Sequence, residues 1–161
     1  MAIFVGPRRS LLLAALVVCV CLLSSLIVQG TDFEYCNKKA NYPVKISGVE
    51  IQPDPIETGK PAKFKISATT GDVIYKGKVE LDVKYYFLHV HSETKDLCEE
   101  TSCPITTGDF VLSHEQTLPS LTPPGSYTLT MKIYGEDGKK QLSCIDLYFS
   151  ISWLSSSVAD I

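Results

Sequence analysis

The sequence predicts an all-β domain, a disulfide-stapled β-sandwich delivered to the secretory pathway, and three observations predict it. An apolar leader with a basic flank opens the chain, and four cysteines remain once that leader is set aside. The rest consists of short runs in which apolar and polar residues alternate, separated by Pro- and Gly-rich turns.

The leader comes first in the 161-residue chain. Arg8 and Arg9 precede an apolar run from Leu11 to Val28, and Val28-Gln29-Gly30 offers small residues for a signal peptidase. The run approaches the roughly 20 residues that span a bilayer. Ser24 and Ser25 split it, however, which favours a cleaved signal peptide over residues 1–30 to a signal anchor. The domain is then expected over 31–154, with a loose tail over 155–161. The chain closes Val158-Ala159-Asp160-Ile161, which is no retention tetrapeptide. The expected destination is the extracellular space, the apoplast or a vacuole.

Without the leader, thirteen lysines and no arginine face eighteen carboxylates, a formal charge of −5. A chain without arginine lacks the usual means of reading bases and phosphates, which disfavours nucleic acid as a partner. Cys36, Cys98, Cys103 and Cys144 remain, an even set that reads as two disulfides in a secreted domain. Four cysteines allow three connectivities. Spacing favours Cys98–Cys103 closing a short loop, which leaves Cys36–Cys144 to join the two ends of the domain. No C-x-x-C pair supports zinc.

The strands follow in order. Val44 to Ile51 is a short candidate. Phe64, Ile66 and Ala68 alternate with lysines and serine, and Val79, Leu81, Val83, Tyr85 and Phe87 continue the pattern in the next run. Phe110 to His114 is another short candidate. Tyr127, Leu129, Met131 and Ile133 form a clear alternation, as do Ile145, Leu147, Phe149 and Ile151. Asp137-Gly138 between the last two runs marks the best hairpin. No segment after the leader shows a helical period, so six to eight antiparallel strands imply a sandwich or barrel.

Catalytic chemistry finds little support. His89 and His91 would share a face of a strand and suggest a two-histidine metal site, but no third ligand completes it. The favoured reading is two half-exposed histidines near a strand end. No cofactor and no nucleophile–base arrangement is expected. Glu99-Glu100 reads as a solvated acid pair. Lys60, Lys63, Lys65, Lys76 and Lys78 could meet anionic lipid head groups, although lysines guarding strand edges are the favoured reading. The inward set (Phe64, Ile66, Leu81, Val83, Phe87, Phe110, Tyr127, Leu129, Met131, Ile133, Leu147 and Phe149) can fill a core or line a cavity. Periodicity does not separate the two.

An ordered series of landmarks goes further. Phe33-Glu34-Tyr35-Cys36 is followed by Cys98-x4-Cys103-Pro104-Ile105 and Leu118-Pro119, then by Pro124-Gly125-Ser126-Tyr127-Thr128-Leu129 and Lys140-Gln141-Leu142-Ser143-Cys144. Over residues 32–152 the chain resembles the ML lipid-recognition superfamily, which includes the Niemann–Pick type C sterol carrier. Tyr85-Tyr86-Phe87-Leu88-His89-Val90-His91 and Thr122-Pro123-Pro124-Gly125-Ser126-Tyr127 look most like its plant members, often called phosphatidylglycerol/phosphatidylinositol transfer proteins. The resemblance implies an immunoglobulin-like sandwich whose two antiparallel sheets part to hold one lipid. It implies the same two disulfides; the chain is further expected to be monomeric, to touch membrane surfaces transiently and to be no enzyme. By position, it puts the mouth near Phe87, Leu88, Val90, Leu118 and Leu121. The sterol carrier has a further cysteine pair that Gln52 to Lys63 lacks, so the expected ligand is left as a sterol or a phospholipid.

Overall fold

A computed structural model describes residues 30–152. The leader, except Gly30, and the tail lie outside the described residues. Nine strands and one helical turn follow in the order β1 (Phe33–Tyr35), β2 (Val44–Gln52), β3 (Ile56–Glu57), β4 (Pro61–Thr70), β5 (Lys78–Tyr85), β6 (Leu88–Asp96), α1 (Leu97–Glu100), β7 (Gly108–Thr117), β8 (Gly125–Tyr134) and β9 (Gln141–Ser152). They build an immunoglobulin-like sandwich of two sheets. The larger runs β1-β9-β8-β5-β6, with β3 added in parallel to β9, and the smaller runs β2-β4-β7. Every other pairing is antiparallel.

Alternation explains the layers. On β4, Ala62, Phe64, Ile66 and Ala68 are buried while Lys63 and Lys65 face water; on β8, Tyr127, Leu129, Met131 and Ile133 are buried. Paired residues in an antiparallel ladder share a face. Leu81, Met131 and Ile145 therefore line up across three strands, as do Val83, Leu129 and Leu147. These rows meet the inner face of β2-β4-β7 in one apolar core.

The strands differ from the sequence reading in several places. The run through Phe87 breaks after Tyr85, where Tyr86 takes a left-handed φ of 53° and the chain reverses into β6. Residues of this size rarely adopt that region. Phe87 thus sits at the hairpin tip with 86% of its surface exposed, instead of facing the core. β6 itself was not expected, because its polar sequence hides it: it is an edge strand with no buried residue. β7 extends well beyond Phe110–His114. The expected hairpin at Asp137-Gly138 is present, with Gly138 at φ 65°. There Asp137 Oδ1 accepts from the backbone N–H of Lys139 and of Lys140, both at 3.0 Å.

Both disulfides join the expected partners. Cys36–Cys144 spans 108 residues and Cys98–Cys103 spans 5, with Cα separations of 5.5 and 5.4 Å.

Candidate functional site

The two sheets are unequal in width, and the pocket follows from that. β6 extends past the smaller sheet, so the seam between β6 and its edge strand β7 is not closed by strand against strand. Helix α1 fills it. Asp96 caps α1 by accepting from Cys98 N at 2.8 Å, and Leu97, wholly buried, is the apolar plug. Gly77 lets the plug approach: a Cβ there would lie 2.4 Å from the Tyr134 carbonyl oxygen and 2.9 Å from Leu97 Cδ2. The Cys98–Cys103 bridge ties the helical turn to the loop that follows.

Beneath α1 lies a pocket walled by Phe64 and Ile66 of β4, Val79 and Leu81 of β5, Leu112 and His114 of β7, and Leu129 and Met131 of β8, with Glu100 at its edge. Its open volume is about 20 Å³, room for roughly one water molecule. The wall is apolar apart from one pair. His114 Nδ1 lies 3.1 Å from Glu100 Oε1, with the two side chains only 15% and 9% exposed.

Of the residues expected to line a cavity, Phe64, Ile66, Leu81, Leu129 and Met131 come together here. Ile133 and Leu147 are buried in the core beside the pocket, and Val83, Phe110, Leu118 and Phe149 pack partly buried against it. Tyr127 stacks on Phe149 at 5.7 Å, and Phe149 meets Phe64 edge-on at 6.0 Å, which caps the pocket toward the 118–124 loop. Burial pushes the Tyr127 hydroxyl pKa up, and that hydroxyl donates to the Pro123 carbonyl at 2.7 Å. Phe87 is corrected as an inward residue, being 86% exposed; Leu88, Val90 and Leu121, expected near the mouth, are 57%, 52% and 89% exposed. They lie near one another at one end of the sandwich, where Tyr85 Oη donates to Pro124 O at 3.2 Å and joins the β5–β6 tip to the 118–124 loop.

One residue of the site was read differently from sequence. Glu100 is not a solvated acid, because α1 turns it inward onto His114. The pairing joins positions 14 apart on different elements, and no local pattern announces it. Val79 and Leu112 belong to alternating runs and were legible in principle.

The remaining candidates resolve as surface. A bulge opposite Val83/Lys84 sets His91 against Val83 and His89 against Lys84, on opposite faces of the sheet, so the two histidines cannot share a metal. Among the described residues no group of three potential ligands gathers for a metal ion. On the outer face, Asp82 accepts from Ser92 and lies 3.4 Å from Lys132 Nζ. The Ser92 hydrogen bond, ahead of Lys132, holds the Asp82 carboxyl below its ordinary pKa. The five clustered lysines each face a carboxylate: Lys60–Glu57, Lys63–Glu115, Lys65–Glu50, Lys76–Glu136 and Lys78–Glu80. Lys63 and Lys65 lie on the central strand of their sheet, so they do not guard an edge.

Comparison with known proteins follows the same lines. The family model described as ML domain matches residues 30–151. A phosphatidylglycerol/phosphatidylinositol transfer protein of Aspergillus oryzae is 34% identical over 122 residues, covering 72% of this chain and 69% of that protein. The MD-2-related lipid-recognition protein ROSY1 of Arabidopsis thaliana is 31% identical over 137 residues, covering 81% and 83%. Among solved structures, a Niemann–Pick type C2 protein from the Japanese carpenter ant superposes with a TM-score of 0.61. It is 16% identical, over 75% of this chain and 99% of that one, and shows a shared fold.

Proposed function

The chain belongs to the ML-domain family, and from that premise we propose that it is a lipid carrier that buries the apolar part of a phospholipid or sterol between its two sheets. The observation that carries this reading is the pocket under α1, apolar on four strands and polar only at one edge. Immersing a sixteen-carbon chain in water costs about 12 kcal/mol, at roughly 0.8 per CH2. A wall of Ile66, Leu81, Leu129 and Met131 supplies the apolar surroundings that offset this cost. Binding involves no covalent chemistry and needs no metal or cofactor.

Pockets that enclose a drug-sized ligand run to about 300–1,000 Å³. Loading therefore requires the sheets to part at the seam held by α1, where side chains and one helical turn close the gap. The exposed Phe87, Leu88, Val90 and Leu121 form an apolar end that meets a membrane surface during uptake and release. The leader expected from the sequence and the two disulfides support a secretory route, with the carrier acting as a monomer in the extracellular space or a vacuole.

A second reading draws on the same small volume: a filled sandwich that recognises another protein. Native mass spectrometry of residues 31–161, disulfides intact, after incubation with mixed phospholipids, sterols and fatty acids separates the two. A one-to-one lipid adduct is the expected result. Bare protein across all three classes overturns the carrier and leaves the filled sandwich.

A further inference from the structure

Helix α1 roofs the pocket, and its attachment is uneven. On its N-terminal side it continues β6, an edge strand with no buried residue, which gives it little anchorage. Leu97 N donates to the Gly77 carbonyl at 3.0 Å, and Glu100 meets His114. The remaining tie is covalent: Cys98, next to the buried plug Leu97, is bonded to Cys103. Cys103 lies close to a fixed point. Ile105, only 3% exposed, exchanges both backbone hydrogen bonds with Ile74, at 2.9 and 3.0 Å. The bridge therefore fastens a weakly held roof to a loop that the core holds independently.

The two bridges differ in what holds their cysteines once the sulfurs separate. Cys36 N donates to Cys144 O at 3.1 Å, and the neighbouring Tyr35 and Ile145 are in register, so the β1–β9 ladder keeps those sulfurs together. Cys98 and Cys103, both half-buried, are joined by no strand ladder, and opening their bridge leaves α1 free to move. We propose that Cys98–Cys103 is a redox latch on the pocket: reduction by a dithiol frees α1 and speeds the entry and exit of lipid, and reoxidation locks the roof again. The inference rests on the carrier reading and adds a control on its seam. A thiolate of the dithiol attacks one sulfur of the bridge, forms a mixed disulfide and expels the other cysteine as a thiolate. The second thiol of the reductant then attacks the reductant's own sulfur in that mixed disulfide, closing the reductant's disulfide and releasing the remaining cysteine. Two electrons pass from the dithiol to the bridge, and its two protons end on Cys98 and Cys103. Because the bridged residues are only 5 apart, little of the fold's stability depends on the bridge.

The test loads the oxidised protein with pyrene-labelled phosphatidylglycerol and, in parallel, with the fluorescent sterol dehydroergosterol. Release into phosphatidylcholine vesicles is followed before and after treatment with dithiothreitol. Alkylation of free thiols and peptide mapping identify which bridge has opened, and a urea transition reports whether the fold persists. Opening of Cys98–Cys103 with Cys36–Cys144 intact is expected to speed release roughly tenfold, within what the loop-closure entropy of so short a bridge supplies. Cys98→Ser/Cys103→Ser should release as fast as reduced wild type and lose the response to dithiothreitol. Where that variant does not fold, the response of mapped wild type decides.

Unchanged release once Cys98–Cys103 has opened, or a double-serine variant that still responds to dithiothreitol, overturns the latch while the carrier stands. So does opening of Cys36–Cys144 first, or loss of the cooperative urea transition when only the short bridge is reduced, which would make that bridge a staple of the fold. Failure of the oxidised protein to load either probe overturns the carrier itself.

Discussion

The two flanks of the sandwich are closed by different means. On the β1/β9 side, Phe33 and Tyr35 add a strand to β9, and Tyr35 Oη reaches the facing sheet, accepting from Ile46 N at 2.8 Å and donating to Ile46 O at 3.3 Å. Tyr42 stacks on Tyr35 at 5.6 Å, and Cys36–Cys144 fastens this edge covalently. On the β6/β7 side no strand pairing joins the sheets, and the Cys98–Cys103 bridge stays between the helical turn and the loop after it. A four-residue helical turn, one buried leucine and one Glu–His pair bridge the sheets. One flank can carry the stability of the fold while the other yields to a ligand. A binding seam belongs at the low-stability end of a structure.

This contrast can be broken at either flank. The largest effect is expected at the fastened side. Replacing Cys36 and Cys144 together by serine should cost about 4–5 kcal/mol in the chain-entropy model, read as a lower urea midpoint, against about 2 kcal/mol for removing the short Cys98–Cys103 loop. Equal losses at the two bridges would erase the distinction between flanks.

Next comes the pocket itself. Met131→Lys puts an ammonium group where the side chain is 2% exposed and should abolish lipid loading. A well-folded Met131→Lys protein with unchanged lipid affinity would remove Met131 from the site.

The smallest effect tests how β6 is held. Asp82 links β6 to β5 and β8 from the outer face, and its pKa is lowered in the folded protein. A depressed carboxylate contributes stability that is fully present above its unfolded pKa of about 4 and is lost as pH falls through the lower folded value. The group is partly exposed, so the contribution is expected to be well under 1 kcal/mol. Asp82→Asn should flatten the acid side of the stability profile slightly below pH 4. An identical profile in wild type and variant would leave β6 attached by its ladder alone.

Local pattern made much of the fold legible. β4, β5, β8 and β9 are each half-buried, so their alternation records which face meets the core, and their turns carry Gly and Pro where the chain reverses. β6 was invisible for the converse reason. An edge strand beyond the width of the facing sheet buries neither face fully, and nothing selects apolar residues along it. The assignment of Phe87 to the interior failed because alternation continues in sequence after the chain has turned. Its outward placement depends on the left-handed Tyr86, which no neighbouring residue type requires.

The sequence by itself determined a disulfide-bonded β domain, the apolar rows of its core and, through ordered landmarks, the family to which it belongs. Each rests on residues close in the chain or on a pattern that repeats along it. Only the tertiary structure decided the unequal width of the sheets, the seam this leaves beside β7, and the meeting of Glu100 with His114 inside it. Those features are set by which strands face one another across the core and by a helical turn that directs an acidic side chain inward, relations between distant segments that no local periodicity encodes.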